Sequence, residues 1–155
     1  MEKEFMREAI NLSIKNVQEQ LGGPFGAVVV KDGKIIARGA NCVTQDNDPT
    51  AHAEVVAIRK ACQVLNSFQL EDCEIYTSCE PCPMCLAAIY WARPKAVYFA
   101  NTKQDAADID FDDQFIYDEL DVPMAQRAIP LQQMLRDEAI EAFQLWAESI
   151  SKVEY

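Results

Sequence analysis

The sequence predicts an α/β fold, a three-layer α/β/α sandwich around a mixed five-stranded sheet. Three observations carry that expectation. Apolar residues at helical spacing open the chain. An apolar, β-branched run then meets a returning strand at an Asp-Gly turn. Farther on, segments alternate strand, helix, strand, an order whose crossover is right-handed and whose strands pair in parallel. The length of 155 residues suits one domain, read here as residues 1–155.

Phe5, Met6, Ala9, Ile10, Val17 and Leu21 place a helix over residues 2–21. Gly22-Gly23-Pro24 is expected to end it, because glycine accepts a left-handed cap and proline cannot continue a helix. Residues 25–30 and 34–41 read as strands joined by Asp32-Gly33. A polar loop follows over 44–50, and a helix over 51–65 with Thr50 as its cap. Residues 73–78, 83–91 and 95–100 form the strand, helix and strand of the β-α-β unit. The acidic stretch 105–123 suits short helical turns, 128–131 a fifth strand, and 138–150 an amphipathic helix.

Half the residues are apolar, so a chain of this length can bury roughly two-thirds of its unfolded surface without disulfide staples. Its six cysteines, Cys42, Cys62, Cys73, Cys79, Cys82 and Cys85, are therefore read for chemistry first. No apolar run at residues 1–6 suggests a signal peptide, and no stretch nears the ~20 apolar residues of a membrane span. A cytoplasmic protein without a membrane partner is expected, its thiols reduced, catalytic or metal-bound. Acidic residues number 25 against 14 basic ones, a formal charge of −11. That balance repels a phosphate backbone, so nucleic acid is disfavoured as a partner and a small-molecule substrate favoured.

The chemistry concentrates in Ala51-His52-Ala53-Glu54 and in Ser78-Cys79-Glu80-Pro81-Cys82-Pro83-Met84-Cys85. Zinc accepts imidazole nitrogen and thiolate sulfur, and a catalytic site uses three protein ligands with one position left open. Cys82 and Cys85, three apart at a helix opening, turn both sulfurs to one side of the first turn. The free N–H groups and dipole of that turn favour thiolates. His52, the chain's one histidine, also stands at a helix start, so two helix ends can converge on one metal. Glu54 cannot easily share ligation with His52 two residues away, but it can lean over the metal and carry protons. Each piece alone has an ordinary reading: a solvated His-x-Glu, a redox dithiol, or part of an iron–sulfur run through Cys79. The run lacks its fourth cysteine, since Leu86-Ala87-Ala88-Ile89 follows. Taken together, His-x-Glu and Pro-Cys-x-x-Cys match the signature of zinc deaminases. Cys79 is read as a small buried residue beside the metal turn.

With those motifs in place, the chain resembles the cytidine-deaminase-like superfamily, and within it the short guanine deaminases. The likeness runs through Gly22-Gly23-Pro24-Phe25, Asp48-Pro49-Thr50, the two zinc motifs, Phe111-Asp112-Asp113 and the terminal Tyr155. It implies one Zn2+ held by His52, Cys82 and Cys85, with hydrolytic deamination of guanine to xanthine and ammonia. Guanosine or another aminated purine or azine is the alternative, tRNA wobble adenosine a more distant one, and a non-catalytic zinc module the last. The resemblance assigns proton transfer to Glu54 and makes Asp113, ahead of Asp112, a second catalytic acid. It places Asn41 on the base edge and Phe25, Ala53, Trp91 and Tyr155 around the substrate. It further implies a homodimer, with the helix and tail at 138–155 as candidates for exchange between subunits.

Overall fold

The computed structural model describes residues 2–155, which form two compact units divided between Asp113 and Gln114. The first unit contains α1 (Lys3–Gln18), β1 (Gly26–Lys31), β2 (Lys34–Ala40), α2 (Val43–Asp46), α3 (Ala53–Leu65), β3 (Cys73–Cys79), α4 (Pro83–Ala92), β4 (Ala96–Asn101) and α5 (Lys103–Ala107). The strands make one mixed sheet in the order β2-β1-β3-β4. β1 is antiparallel to both β2 and β3, whereas β3 and β4 pair in parallel, as the β-α-β order requires.

Both faces of β1 and β3 are covered, which explains why their sequences run apolar rather than alternating. Val29 and Ile75 face one core layer with Ala57 and Ala61 of α3 and Ile89 of α4. Val28, Val30 and Tyr76 face the other with Phe5 and Ala9 of α1. The Phe5 and Tyr76 rings meet edge to face at 5.5 Å between centroids. Ala53 and Ala57 lie against Gly39, where a side chain would collide with the Ala53 carbonyl. That small-residue contact seats the start of α3 close against β2.

Four sequence expectations are corrected. First, residues 128–131 form no strand, so the sheet has four strands and not five. Pro130 lacks a ladder donor, and the segment is exposed without a strand partner in its own unit. Second, α1 ends at Gln18, and the left-handed residue after it is Gln20 (φ 57°) rather than a glycine. Leu21 N–H then reaches back to Asn16 O at 2.9 Å. Third, the polar loop over 44–50 contains the single turn α2, closed by Asn47 at φ 49°. Fourth, the N-cap of α3 is His52 and not Thr50. The Thr50 hydroxyl and N–H are both spent on Asp48 Oδ1, at 2.7 and 2.8 Å.

The second unit comprises α6 (Gln114–Asp121), a 3-10 turn (Met124–Gln126) and α7 (Arg136–Glu148). None of its residues is buried, and Phe115, Leu120, Phe143, Leu145 and Trp146 are exposed. Among the described residues, no helix is long and apolar enough to cross a membrane.

Candidate metal centre

Two helix starts and one strand build the site. His52 is the extended N-cap of α3, and its side chain makes no capping bond. Cys82 is the extended N-cap of α4, with Pro83 in the first turn, where a missing N–H does no harm. Both caps turn their side chains to the same place. His52 Nδ1 lies 3.5 Å from Cys82 Sγ and 3.5 Å from Cys85 Sγ. The ligand atoms of His52, Cys82 and Cys85 all lie within 4.8 Å of one another, the one such group among the described residues.

Those separations fit zinc. Bonds of about 2.05 Å to nitrogen and about 2.3 Å to sulfur, at a tetrahedral angle, make an N···S edge of about 3.6 Å. Three ligands would leave the fourth position open, as in catalytic zinc sites. The electrostatics agree. The bond from Cys85, with His52 adjacent, draws the Cys82 thiol down to about 4, despite partial burial. Cys85 moves the opposite way, because it holds the shared proton and is buried. The Cys82 bond raises His52 above its ordinary value. The pair thus favours a thiolate at Cys82, and a divalent cation would displace the proton of Cys85.

Glu54 stands beside the cluster and not in it. Its side chain is buried at 6% exposure; Oε2 is 3.5 Å from Cys85 Sγ, and Oε1 accepts a hydrogen bond from Thr77 Oγ1 at 3.1 Å. Burial first, and then the negative Cys82, raise its carboxyl above the usual carboxylate range. A carboxyl that holds a proton more readily than an exposed one suits a proton carrier. Cys79, buried and 3.5 Å from Thr102 O, is pushed up to about 11 by burial and the Glu54 charge, and so stays a thiol.

The remaining expected residues divide. Asn41 is buried at the end of β2, its Oδ1 facing the N–H groups of Gly23 and Val43 at 3.4 Å each. Asp113 is half-buried, and its carboxyl is raised by burial and then by the Cys82 charge, which ties it electrostatically to the cluster. Asp112 is exposed. Phe25 stacks edge to face on Phe111 at 5.0 Å, which anchors the Phe-Asp-Asp segment over the start of β1. Ala53 is fully buried at the first position of α3. Trp91 is 61% exposed at the far end of α4, six residues or about 9 Å along the axis from Cys85. Tyr155 belongs to the second unit and is 69% exposed.

Two site residues escaped the sequence reading. Thr77 follows Ile75 by one strand period and therefore faces α3, where it meets Glu54. Asn16 continues the buried stripe Phe5, Ala9 and Ser13 of α1. The signal in both cases is a polar side chain at a core-facing position, which must find a partner.

Comparison with known proteins agrees with this geometry. The profile of the cytidine and deoxycytidylate deaminase zinc-binding region matches residues 1–101. A guanine deaminase of Bacillus subtilis is 58% identical over 151 residues, 97% of each chain. A crystal structure of a Bacillus subtilis guanine deaminase superposes with a TM-score of 0.97 at 57% identity, over 100% of this chain and 99% of that one. A tRNA-specific adenosine deaminase of Aquifex aeolicus is 42% identical over 100 residues, 64% of this chain and 66% of the relative. A metal cluster at two helix starts, with a buried carboxyl beside it, is thus the local expression of a shared ancestry: the chain belongs to the cytidine and deoxycytidylate deaminase zinc-binding family, in the group that holds the Bacillus subtilis guanine deaminase.

Proposed function

We propose that this protein deaminates guanine hydrolytically, giving xanthine and ammonia, a step of purine salvage and catabolism. The buried Glu54 carboxyl beside the His52–Cys82–Cys85 cluster carries the chemistry, and near-full-length identity to a guanine deaminase carries the substrate. His52, Cys82 and Cys85 would hold one Zn2+, which when bound supplies Lewis-acid activation of water. Glu54 takes a proton from the attacking water and returns it to the ring nitrogen beside the attacked carbon. It then takes the remaining proton from the newly added hydroxyl as the C=O bond forms and delivers it to the departing amine, so that the C–N bond breaks and ammonia leaves. Thr77 holds Glu54 Oε1 in place throughout, at 3.1 Å. Asn41 grips the base edge. Asp113 contacts the substrate amino group. Phe25 and Ala53 line the base site, the His52 ring offers a stacking face, and Trp91 and Tyr155 are read as further substrate contacts.

A homodimer in the cytoplasm suits the remaining features. The second unit buries no residue and exposes several large apolar side chains, a surface that a second copy would cover. We read the helix and tail at 138–155 as the segment that crosses to, or caps, a subunit's pocket. The six cysteines are all unpaired, in keeping with a reducing compartment.

The decisive experiment is an ammonia-release screen of zinc-loaded protein over guanine, guanosine, adenine, cytosine and their nucleosides. Guanine is expected to give the highest kcat/KM. A higher value for guanosine or for another base replaces the substrate assignment, and no release from any of them leaves only a zinc-binding role.

A further inference from the structure

Asn16 lies in the last turn of α1, on the stripe of Phe5, Ala9 and Ser13, and is 3% exposed. A carboxamide so deep in the core costs free energy unless its hydrogen bonds are made. They are made to two carbonyls from different segments. Asn16 Nδ2 donates to Gly23 O at 2.8 Å and to Asn41 O at 3.0 Å. Its main-chain carbonyl accepts from Leu21 N–H at 2.9 Å. One residue therefore ties together the end of α1, the Gly-Gly-Pro-Phe loop and the end of β2. Gly22 closes the arrangement, since a Cβ there would collide with the Asn41 carbonyl oxygen and crowd Asn16 Nδ2.

The consequence is an oriented Asn41. Its main-chain N–H donates to Phe25 O at 3.1 Å, and its main-chain oxygen is held by Asn16. Its side-chain oxygen faces the N–H groups of Gly23 and Val43 at 3.4 Å. The amide nitrogen is left to donate outward, the polarity needed to hold an acceptor on the edge of a planar base.

We infer that Asn16 is a positioning residue for base recognition: through Gly23 and the Asn41 carbonyl it fixes which way the Asn41 amide faces the substrate. This rests on the proposed guanine chemistry and deepens it. Because Asn16 acts through Asn41, its effect exists only while Asn41 is present. A role in stability alone would act the same way in either background.

The test is a double-mutant cycle on the zinc-loaded, full-length protein, using steady-state kinetics with guanine for wild type, Asn16→Ala, Asn41→Ala and the double variant. Asn16→Ala is expected to raise KM about tenfold with kcat within about twofold, and to change KM less than about twofold when Asn41 is already alanine. Equal KM effects in both backgrounds overturn the inference, as does a fall in kcat at unchanged KM. If Asn16→Ala does not melt cooperatively, Gly22→Ala, which displaces the same carbonyl, goes through the same cycle with the same expectation, and additivity there overturns it equally. An active wild-type enzyme with an additive cycle removes Asn16 and leaves the guanine reading standing. A wild-type protein that releases no ammonia from guanine overturns that reading, and the Asn16 inference falls with it.

Discussion

Replacing Thr77 by valine isolates one hydrogen bond at the heart of the proposed chemistry. The side chain is almost completely buried on β3, and its hydroxyl donates to Glu54 Oε1 at 3.1 Å. Valine has nearly the same shape and an equal taste for strands, so the backbone and packing should hold. What disappears is a donor to a carboxylate, a bond of about 1.5–3 kcal/mol. If that bond is strongest when Glu54 is charged and correctly aimed, its loss falls on the reaction barrier. At about 1.36 kcal/mol per decade, kcat should drop about 10- to 100-fold. The Thr77 bond also lowers the Glu54 carboxyl against its burial, so valine should shift the acid limb of the kcat profile to higher pH. Steady-state kinetics across pH, metal analysis and thermal melting on the same preparations make the assay. Thr77→Ser, which keeps the hydroxyl, should restore most of the rate. A Thr77→Val enzyme with full zinc and kcat within about twofold of wild type would refute the reasoning.

Other outcomes follow from the same geometry. Glu54→Ala should keep the fold and about one zinc per chain while turnover disappears, because the carboxyl stands beside the metal cluster and is not one of its members; retained turnover measured by ammonia release would remove Glu54 from its role. Cys85→Ala should abolish stoichiometric zinc, and chelator treatment of the wild type should lower Tm, with readdition of zinc reversing the shift. The Tyr76 hydroxyl, which receives Glu2 N–H at 3.1 Å and donates to Glu74 at 2.8 Å, is pushed up to about 12, mainly by burial. The folded state therefore favours the neutral phenol: its contribution is complete below the ordinary value of about 10 and is lost as pH rises through about 12. Denaturant melts from pH 9 to 12 should show stability falling across that window in wild type and a shallower decline in Tyr76→Phe. Deleting residues 151–155 should reduce kcat far more than Tm if the tail closes a pocket, and unchanged kinetics would dismiss that role.

The zinc cluster and Glu54 were legible in the sequence because their geometry is mostly local. A cysteine pair three apart at a proline-opened helix has its sulfurs turned together by the first turn itself. His52 and Glu54 stand at a second helix start, and the metal demands imidazole and thiolate wherever they occur. The hairpin at Asp32-Gly33 was equally local, both residues adopting the left-handed backbone at φ 50° and 70°. The count of strands was not local. Residues 128–131 satisfied the local pattern of a strand, yet a strand exists only where a neighbour supplies its hydrogen bonds, and in their own unit none does. The supports of the site were hidden for the same reason. Thr77 meets Glu54 across 23 positions of sequence, and Asn16 meets Asn41 across 25. Composition could reveal that such residues were polar on a buried face. Their partners were decided by the register of β3 against β1 and by the seating of α1 and α3 on opposite faces of the sheet, relations that arise only when remote segments pack together.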